Sequence, residues 1–187
     1  MKYPHLFQPI RIGDVLYRNR IFAAPTGHAD VLLGQFTDDA IAYFERKAQG
    51  GAAVVTLGEA SVDSVYGKSY PAELSLDSIQ PRYGLSRIAD RISRHGAVPS
   101  IELQHPGMKS TPNVNTLGVG KTSELLYGPS ACEYEGRQIL EMPEELILEI
   151  IDKFASAAKF VKDHGFGMVL VHGGHGWLIN QFMNPRT

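Results

Sequence analysis

Three continuous apolar runs, each led in by a segment of helical pattern that ends in glycine, constrain this chain more than any other feature. Ala52–Leu57 (AAVVTL), Val98–His105 (VPSIELQH) and Met168–His172 (MVLVH) do not alternate as a strand with one wet face would. They read as strands buried on both faces, which is the habit of parallel sheets covered by helices. A shorter run, Arg20–Pro25 (RIFAAP), is stopped by its proline and reads as a first strand. Parallel neighbours need crossover connections, and the helices between these runs supply them, so the fold class is α/β.

The helices carry their own signals. Thr37 opens TDDAIAYFERKAQGG with acidic residues in the first turn and glycines after the last. A second helix lies around Leu85–His95 and is stopped by Gly96. The clearest is Pro143–His164, where Ile147, Ile150, Ile151, Phe154, Ala157, Ala158 and Val161 form one stripe. Pro143 suits its first turn and Gly165 its C-terminal stop. Ahead of all this, Pro9–Ile12 and Val15–Tyr17 flank Gly13-Asp14 and predict a hairpin.

The linkers are unequal. Helix-to-strand turns are short (Gln49–Gly51, Gly96-Ala97, Gly165–Gly167), whereas strand-to-helix connections are long, above all Pro106–Met142. Long loops on one face are the mark of a barrel whose chemistry sits at the C-terminal ends of its strands. Within that connection, Ser110–Ser123 reads equally well as a disordered insertion or partial lid. A complete (β/α)₈ barrel needs roughly 250 residues, and this chain has 187. The predicted architecture is therefore the first half of a TIM-type barrel, about four βα units with an N-terminal hairpin, and residues 1–187 form the N-terminal portion of that one domain.

Composition excludes other classes. With 43% hydrophobic and 20% charged residues the chain is not disordered, and a net charge of −2 offers no field for nucleic acid. One cysteine, Cys132, closes no intrachain disulfide. No run is long enough to span a membrane and the start has no signal-peptide core, so the expected location is cytoplasmic.

Few motifs carry chemistry. Val119-Gly120-Lys121-Thr122 lacks the earlier glycine of a phosphate loop, whose place is taken by Asn115, and no strand–helix context surrounds it. His172-Gly173-Gly174-His175 ends the fourth strand. Two imidazoles there can bind a metal, with Glu102 or His105 arriving from another strand, or can donate hydrogen bonds to an oxygen gaining negative charge. Glu102 lies mid-strand in apolar surroundings. A carboxylate so placed is costly unless paired, which makes it a site candidate as well as a candidate ion-pair partner.

At these residues the chain resembles a family. LFQPIRIGDVLYRNRIFAAP, the triplet Gly58–Ala60, SIELQHPGMK and AAKFVKDHGFGMVLVHGGHGWLINQFMNP are similar to segments of the Old Yellow Enzyme group of flavin oxidoreductases and ene-reductases. HGGHGW is most like the branch of anaerobic 2,4-dienoyl-CoA and bile-acid-type enoate reductases. The resemblance implies FMN as cofactor, NADH or NADPH as electron donor, and a small-molecule alkene as substrate. It also implies an iron–sulfur cluster and FAD in a C-terminal part beyond these residues. Pro25, Thr26 and Gly27 match the loop along the flavin, Ala60 a small residue near its ring, and Glu102 a position usually held by glutamine. His172 and His175 match the catalytic pair that grips the substrate carbonyl. Trp177 matches a substrate-binding tyrosine that usually supplies the proton, and indole N–H is no useful acid. Tyr66 and Tyr70, in the loop after the second strand, are the substitute proton donors that topology suggests.

The resemblance assigns no metal. A metal-dependent barrel hydrolase and a non-catalytic half-barrel remain the alternatives. The open sheet edges of a half-barrel need cover, so a homo-oligomer is expected, and the 187 residues alone are expected to be inactive.

Overall fold

The computed structural model describes residues 2–27, 31–32, 35–78, 81–116 and 120–187. Strands β1 (Ile10–Ile12) and β2 (Val15–Tyr17) form the predicted hairpin, with Ile12 opposite Val15 across a turn that Gly13 enters at φ +57°. Then come β3 (Phe22–Ala23), the small antiparallel pair β4 (Val31–Leu32) and β5 (Gln35–Phe36), and helix α1 (Asp38–Gln49). The Thr37 side chain caps α1 by accepting from Ala40 N. They are followed by β6 (Val54–Ser61), β7 (Leu74–Ser75), α2 (Arg82–Ser93) and β8 (Val98–Gln104).

The strands β3, β6, β8 and β14 (Met168–Val171) lie side by side in chain order, all parallel, with β7 added at the end of β6. Strands that succeed one another without reversal are wound as in a barrel and not as in a doubly wound sheet. The 20-residue α3 (Glu144–Asp163) leads into β14, and the short α4 (Leu178–Phe182) follows it.

The main core lies between the sheet and its helices. Ile41, Phe44 and Ala48 of α1, Leu85, Ile88 and Ile92 of α2, and Ala157 and Val161 of α3 meet Val55, Leu57, Ile101 and Leu103 of the strands. All three helices thus cover one face. The opposite face carries Thr56, Ser100, Glu102 and Gln104, all buried and all polar.

The long connection after β8 differs from its sequence reading. It holds the two-stranded pair β9 (Asn115–Thr116) and β10 (Gly120–Lys121) and a three-stranded sheet of β11 (Leu126–Gly128), β12 (Cys132–Tyr134) and β13 (Arg137–Glu141). Leu126 and Ile139 bury Met108, and Gly128 is held glycine-small by Ile139 and Met108 side chains within 3.4 Å of a notional Cβ. Ser110–Ser123 is tied down at its described residues: Thr111 N donates to Lys68 O, Asn113 N to Ser123 O, and Ser123 N to Val65 O. Gly120 and Lys121 sit in a hairpin strand, not a strand-to-helix turn, and Val119 lies outside the described residues. Among the described residues no helix is long and apolar enough to cross a membrane.

Candidate functional site

Pairing decides which side chains share a face. β8 and β14 run parallel with Ser100 opposite Met168 and Glu102 opposite Leu170, and His172 N continues the ladder by donating to Leu103 O at 2.9 Å. Ile101 and Leu103 belong to the helix side. By alternation Glu102 and His172 turn to the other side, where the strands of a barrel present their interior. There His172 Nδ1 lies 2.9 Å from Glu102 Oε1, both side chains about nine-tenths buried. His172 Nε2 lies 3.0 Å from Nδ1 of His175, which is exposed. The edge of Trp177 closes on the His172 ring, centroids 5.4 Å apart at 81°. The result is a row running from a buried carboxylate to an exposed imidazole.

The loop bearing His175 is held by α4. Gln181, 3% exposed, donates from Nε2 to Pro106 O and to Gly176 O, both at 2.8 Å, and accepts at Oε1 from Met108 N at 3.2 Å. Leu178 N donates to His105 O, and Asn180 Oδ1 accepts from Gly176 N. His175 and Gly176 are both left-handed, at φ +56° and +70°. A Cβ at position 176 would stand 2.7 Å from Lys109 Nζ, which donates to His175 O at 3.0 Å.

A β-bulge between Leu57 and Ala60 re-aims the end of β6. Ala60 packs in the helix–sheet core, 1% exposed. Glu59 instead lies near Glu102. Burial first, and then the Glu102 charge, push its carboxyl above the usual range. At the end of β3, Pro25 presses on Gly58, where a Cβ would meet it at 2.7 Å. Thr26 accepts from Lys47 Nζ at 3.3 Å, which turns its hydroxyl toward α1, and Gly27 is exposed.

The two tyrosines separate. Tyr66 packs edge-on to Tyr127 and against the cluster of Met142, Leu146, Ile150 and Leu178. At Tyr70 burial, then the charges of Glu73 and Glu59, hold the phenol well above the usual range. His105 is committed elsewhere, with Nδ1 accepting from Gly107 N and Nε2 3.8 Å from Asp63. Among the described residues no three metal-ligating side chains converge, and Glu102, His172 and His175 are linked pair by pair through His172.

Two buried networks escaped the sequence reading. Asp63 pairs with Lys153 at 2.9 Å. Burial favours its neutral form, but His105 and Lys153 outweigh that and hold its carboxyl well below the usual range. Beside it, fully buried Lys68 donates to Glu73 O and to Ser75 Oγ, while the Glu73 carboxyl accepts from Ser69 N and Oγ and from Gln104 Nε2. Burial pushes the Glu73 carboxyl up to about 8.

A singly wound parallel sheet with polar and ionisable residues gathered at the C-terminal ends of adjacent strands defines a domain of the (β/α)-barrel type. Residues 5–187 match the NADH:flavin oxidoreductase / NADH oxidase family, and the chain belongs to that family. It is 34% identical over 187 residues to the NADH oxidase of Thermoanaerobacter brockii, covering 99% of this chain and 28% of that protein. With the NADPH dehydrogenase of Halalkalibacterium halodurans it shares 30% over 185 residues, 97% of this chain and 52% of the relative. Among solved structures, a 2-naphthoyl-CoA reductase complexed with 2-naphthoyl-CoA superposes with a TM-score of 0.84 at 28% identity, over 99% of this chain and 30% of the other. Morphinone reductase, at 21% identity and a TM-score of 0.85 over 97% of this chain and 53% of its own, shares the fold. The chain thus spans about half the length of its shorter relatives and under a third of the longer ones.

Proposed function

We propose that the protein carrying this chain is an FMN-dependent oxidoreductase that reduces an activated alkene, a small molecule, at the expense of NADH or NADPH. The observation that carries the reading is the Glu102–His172–His175 row at the ends of adjacent strands in a chain of the NADH:flavin oxidoreductase family. The likeness to a 2-naphthoyl-CoA reductase supports a reductive role on a conjugated system.

Bound FMN would supply the hydride chemistry. The donor set fits the imide edge of its ring: Glu102 spends Oε1 on His172, and its second oxygen can accept from an imide N–H. The loop of Pro25, Thr26 and Gly27 after β3, whose Pro25 and Thr26 press against Gly58, would form the matching wall. His175 stands at the exposed end to meet a substrate carbonyl, with His172 behind it. Trp177 walls the pair without offering an acid, and Tyr70 is the tyrosine placed to pass a proton to carbon.

Residues 1–187 are read as the N-terminal portion of one barrel. An apolar cavity of about 440 Å³, lined by Ile147, Ile151, Phe154, Val171 and Met183 among others, lies along the β14 edge, where a closed barrel seats its next βα unit. A second copy covering the same edge would make the homo-oligomer. A polypeptide as long as the T. brockii relative has room for iron–sulfur and FAD-binding regions, and a cytoplasmic location suits such chemistry.

The test separates the two half-reactions. In the flavin-loaded protein, His172→Ala and His175→Ala slow alkene reduction by about 10²-fold, while flavin reduction by the nicotinamide stays within a small factor of the parent. Alkene turnover at the parent rate in both variants refutes the assignment.

A further inference from the structure

We propose that Glu102 acts as a positioning residue that fixes the tautomers of both histidines, so that His175 turns a hydrogen-bond donor outward only after the row has taken up one proton. The ligand oxygen involved rests on the oxidoreductase reading above, but the tautomers are a property of this chain alone.

The count follows from two contacts. A carboxylate accepts and cannot donate, so the 2.9 Å contact requires the hydrogen to sit on His172 Nδ1. A neutral imidazole has one N–H, which leaves His172 Nε2 a lone pair. The hydrogen in the 3.0 Å contact must then come from His175 Nδ1. That spends the one N–H of His175, and its outer nitrogen, Nε2, is left an acceptor. In this state the row carries one negative charge and offers a lone pair to the open side, which suits neither a carbonyl nor an oxyanion.

One added proton reverses the outer end. It binds His175 Nε2 from solvent, the Nδ1 hydrogen passes to His172 Nε2, and His172 becomes an imidazolium beside Glu102. His175 stays neutral, now with Nε2–H outward, and the row is neutral overall. Only N–H bonds form and break. The charge comes to rest at the buried end, on His172 paired with Glu102, with Glu59 of β6 near Glu102. At the outer end Lys109, from the segment after β8, sits on the main-chain oxygen of His175. Tyr70 is near enough to Glu59 to feel its charge, and the Trp177 edge lies against the His172 ring.

An amide at position 102 removes the constraint. In Glu102→Gln the side chain can donate to His172 Nδ1, both imidazoles then carry their hydrogen on Nε2, and His175 donates outward with no added proton.

Imidazole ¹⁵N NMR of the intact protein at alkaline pH reads this directly, with His172→Gln and His175→Gln for assignment. The expected result is Nδ1–H on both histidines in the parent and in Glu102→Asp, which keeps the carboxylate, and Nε2–H on both in Glu102→Gln. Titration calorimetry of an ionised nitrophenolate into flavin-loaded protein, in buffers of different ionisation enthalpy, then shows one proton taken up per ligand in the parent and none in Glu102→Gln. Nε2–H histidines in the parent, Nδ1–H histidines retained in Glu102→Gln, or nitrophenolate binding to the parent without proton uptake overturns the proposal. The expected tautomers without any nitrophenolate binding uphold the row and count against the alkene-reductase reading instead.

Discussion

Replacing Gln181 by methionine keeps the length and most of the volume of the side chain and deletes only its polar atoms. Three hydrogen bonds go with them: two at 2.8 Å to Pro106 O and Gly176 O, and one at 3.2 Å from Met108 N. With Gln181 3% exposed, water does not readily replace these partners. A net loss of about 1 kcal/mol per bond totals about 3 kcal/mol, a large share of the roughly 5–15 kcal/mol that holds a domain together. With an m-value of about 2 kcal/mol/M, the urea midpoint falls by about 1.5 M. Trp177, the one tryptophan of the chain, caps α4 and reports on this loop by fluorescence, while far-UV circular dichroism reports on the sheet and helices. Both should show the lowered midpoint if the clasp is part of the cooperative unit. A midpoint within about 0.2 M of the parent by both probes would show that Pro106, Met108 and Gly176 find other partners and that Gln181 does not organise the loop.

Two further outcomes concern the buried networks. Lys153→Met leaves the fully buried Asp63 side chain with the main-chain donors Val65 N and Tyr66 N on Oδ1 and no cation nearer than His105, 3.8 Å away, and lowers stability by about 3 kcal/mol. Because the folded Asp63 carboxyl lies below its unfolded value, the contribution is present above that unfolded value and lost as pH falls, so urea midpoints of parent and variant should converge in acid. Glu73 has the opposite sign: it rises from 4.5 unfolded to about 8 folded, so the folded state holds the extra proton and stability declines as pH rises through that window. Glu73→Gln should flatten that decline, and an unchanged slope would move its origin to another group.

The helices and the parallel strands were legible because each is local. A capping Thr37, the stripe from Ile147 to Val161 and the run Ala52–Leu57 declare themselves within a few residues of sequence. Glu102 was legible for a different reason, a charge where the pattern demanded an apolar residue, and the cost of burying it implied a partner. The identity of that partner, His172, needed the register of β8 against β14. The lysine–glutamate–glutamine network and the Asp63–Lys153 pair gave no signal, since Gln104 and Glu73 are 31 residues apart and nothing in their spacing links them. The strands β11 to β13 hid for a third reason: three to five residues interleaved with glycine and proline carry too little periodicity to stand out.

The left-handed backbone at His175 bears on how any substitution there is to be interpreted. Residues with a short polar side chain, asparagine and aspartate, enter that conformation at small cost, glycine at none, and β-branched residues only with strain. A saturation library at position 175, selected for folded protein, would therefore enrich Gly and Asn and deplete Val and Ile, irrespective of chemistry. Alanine keeps the Cβ that His175 already carries into that conformation, so the backbone's cost largely cancels in His175→Ala and what remains is the ring's own contribution, whereas asparagine brings a hydrogen-bond donor of its own.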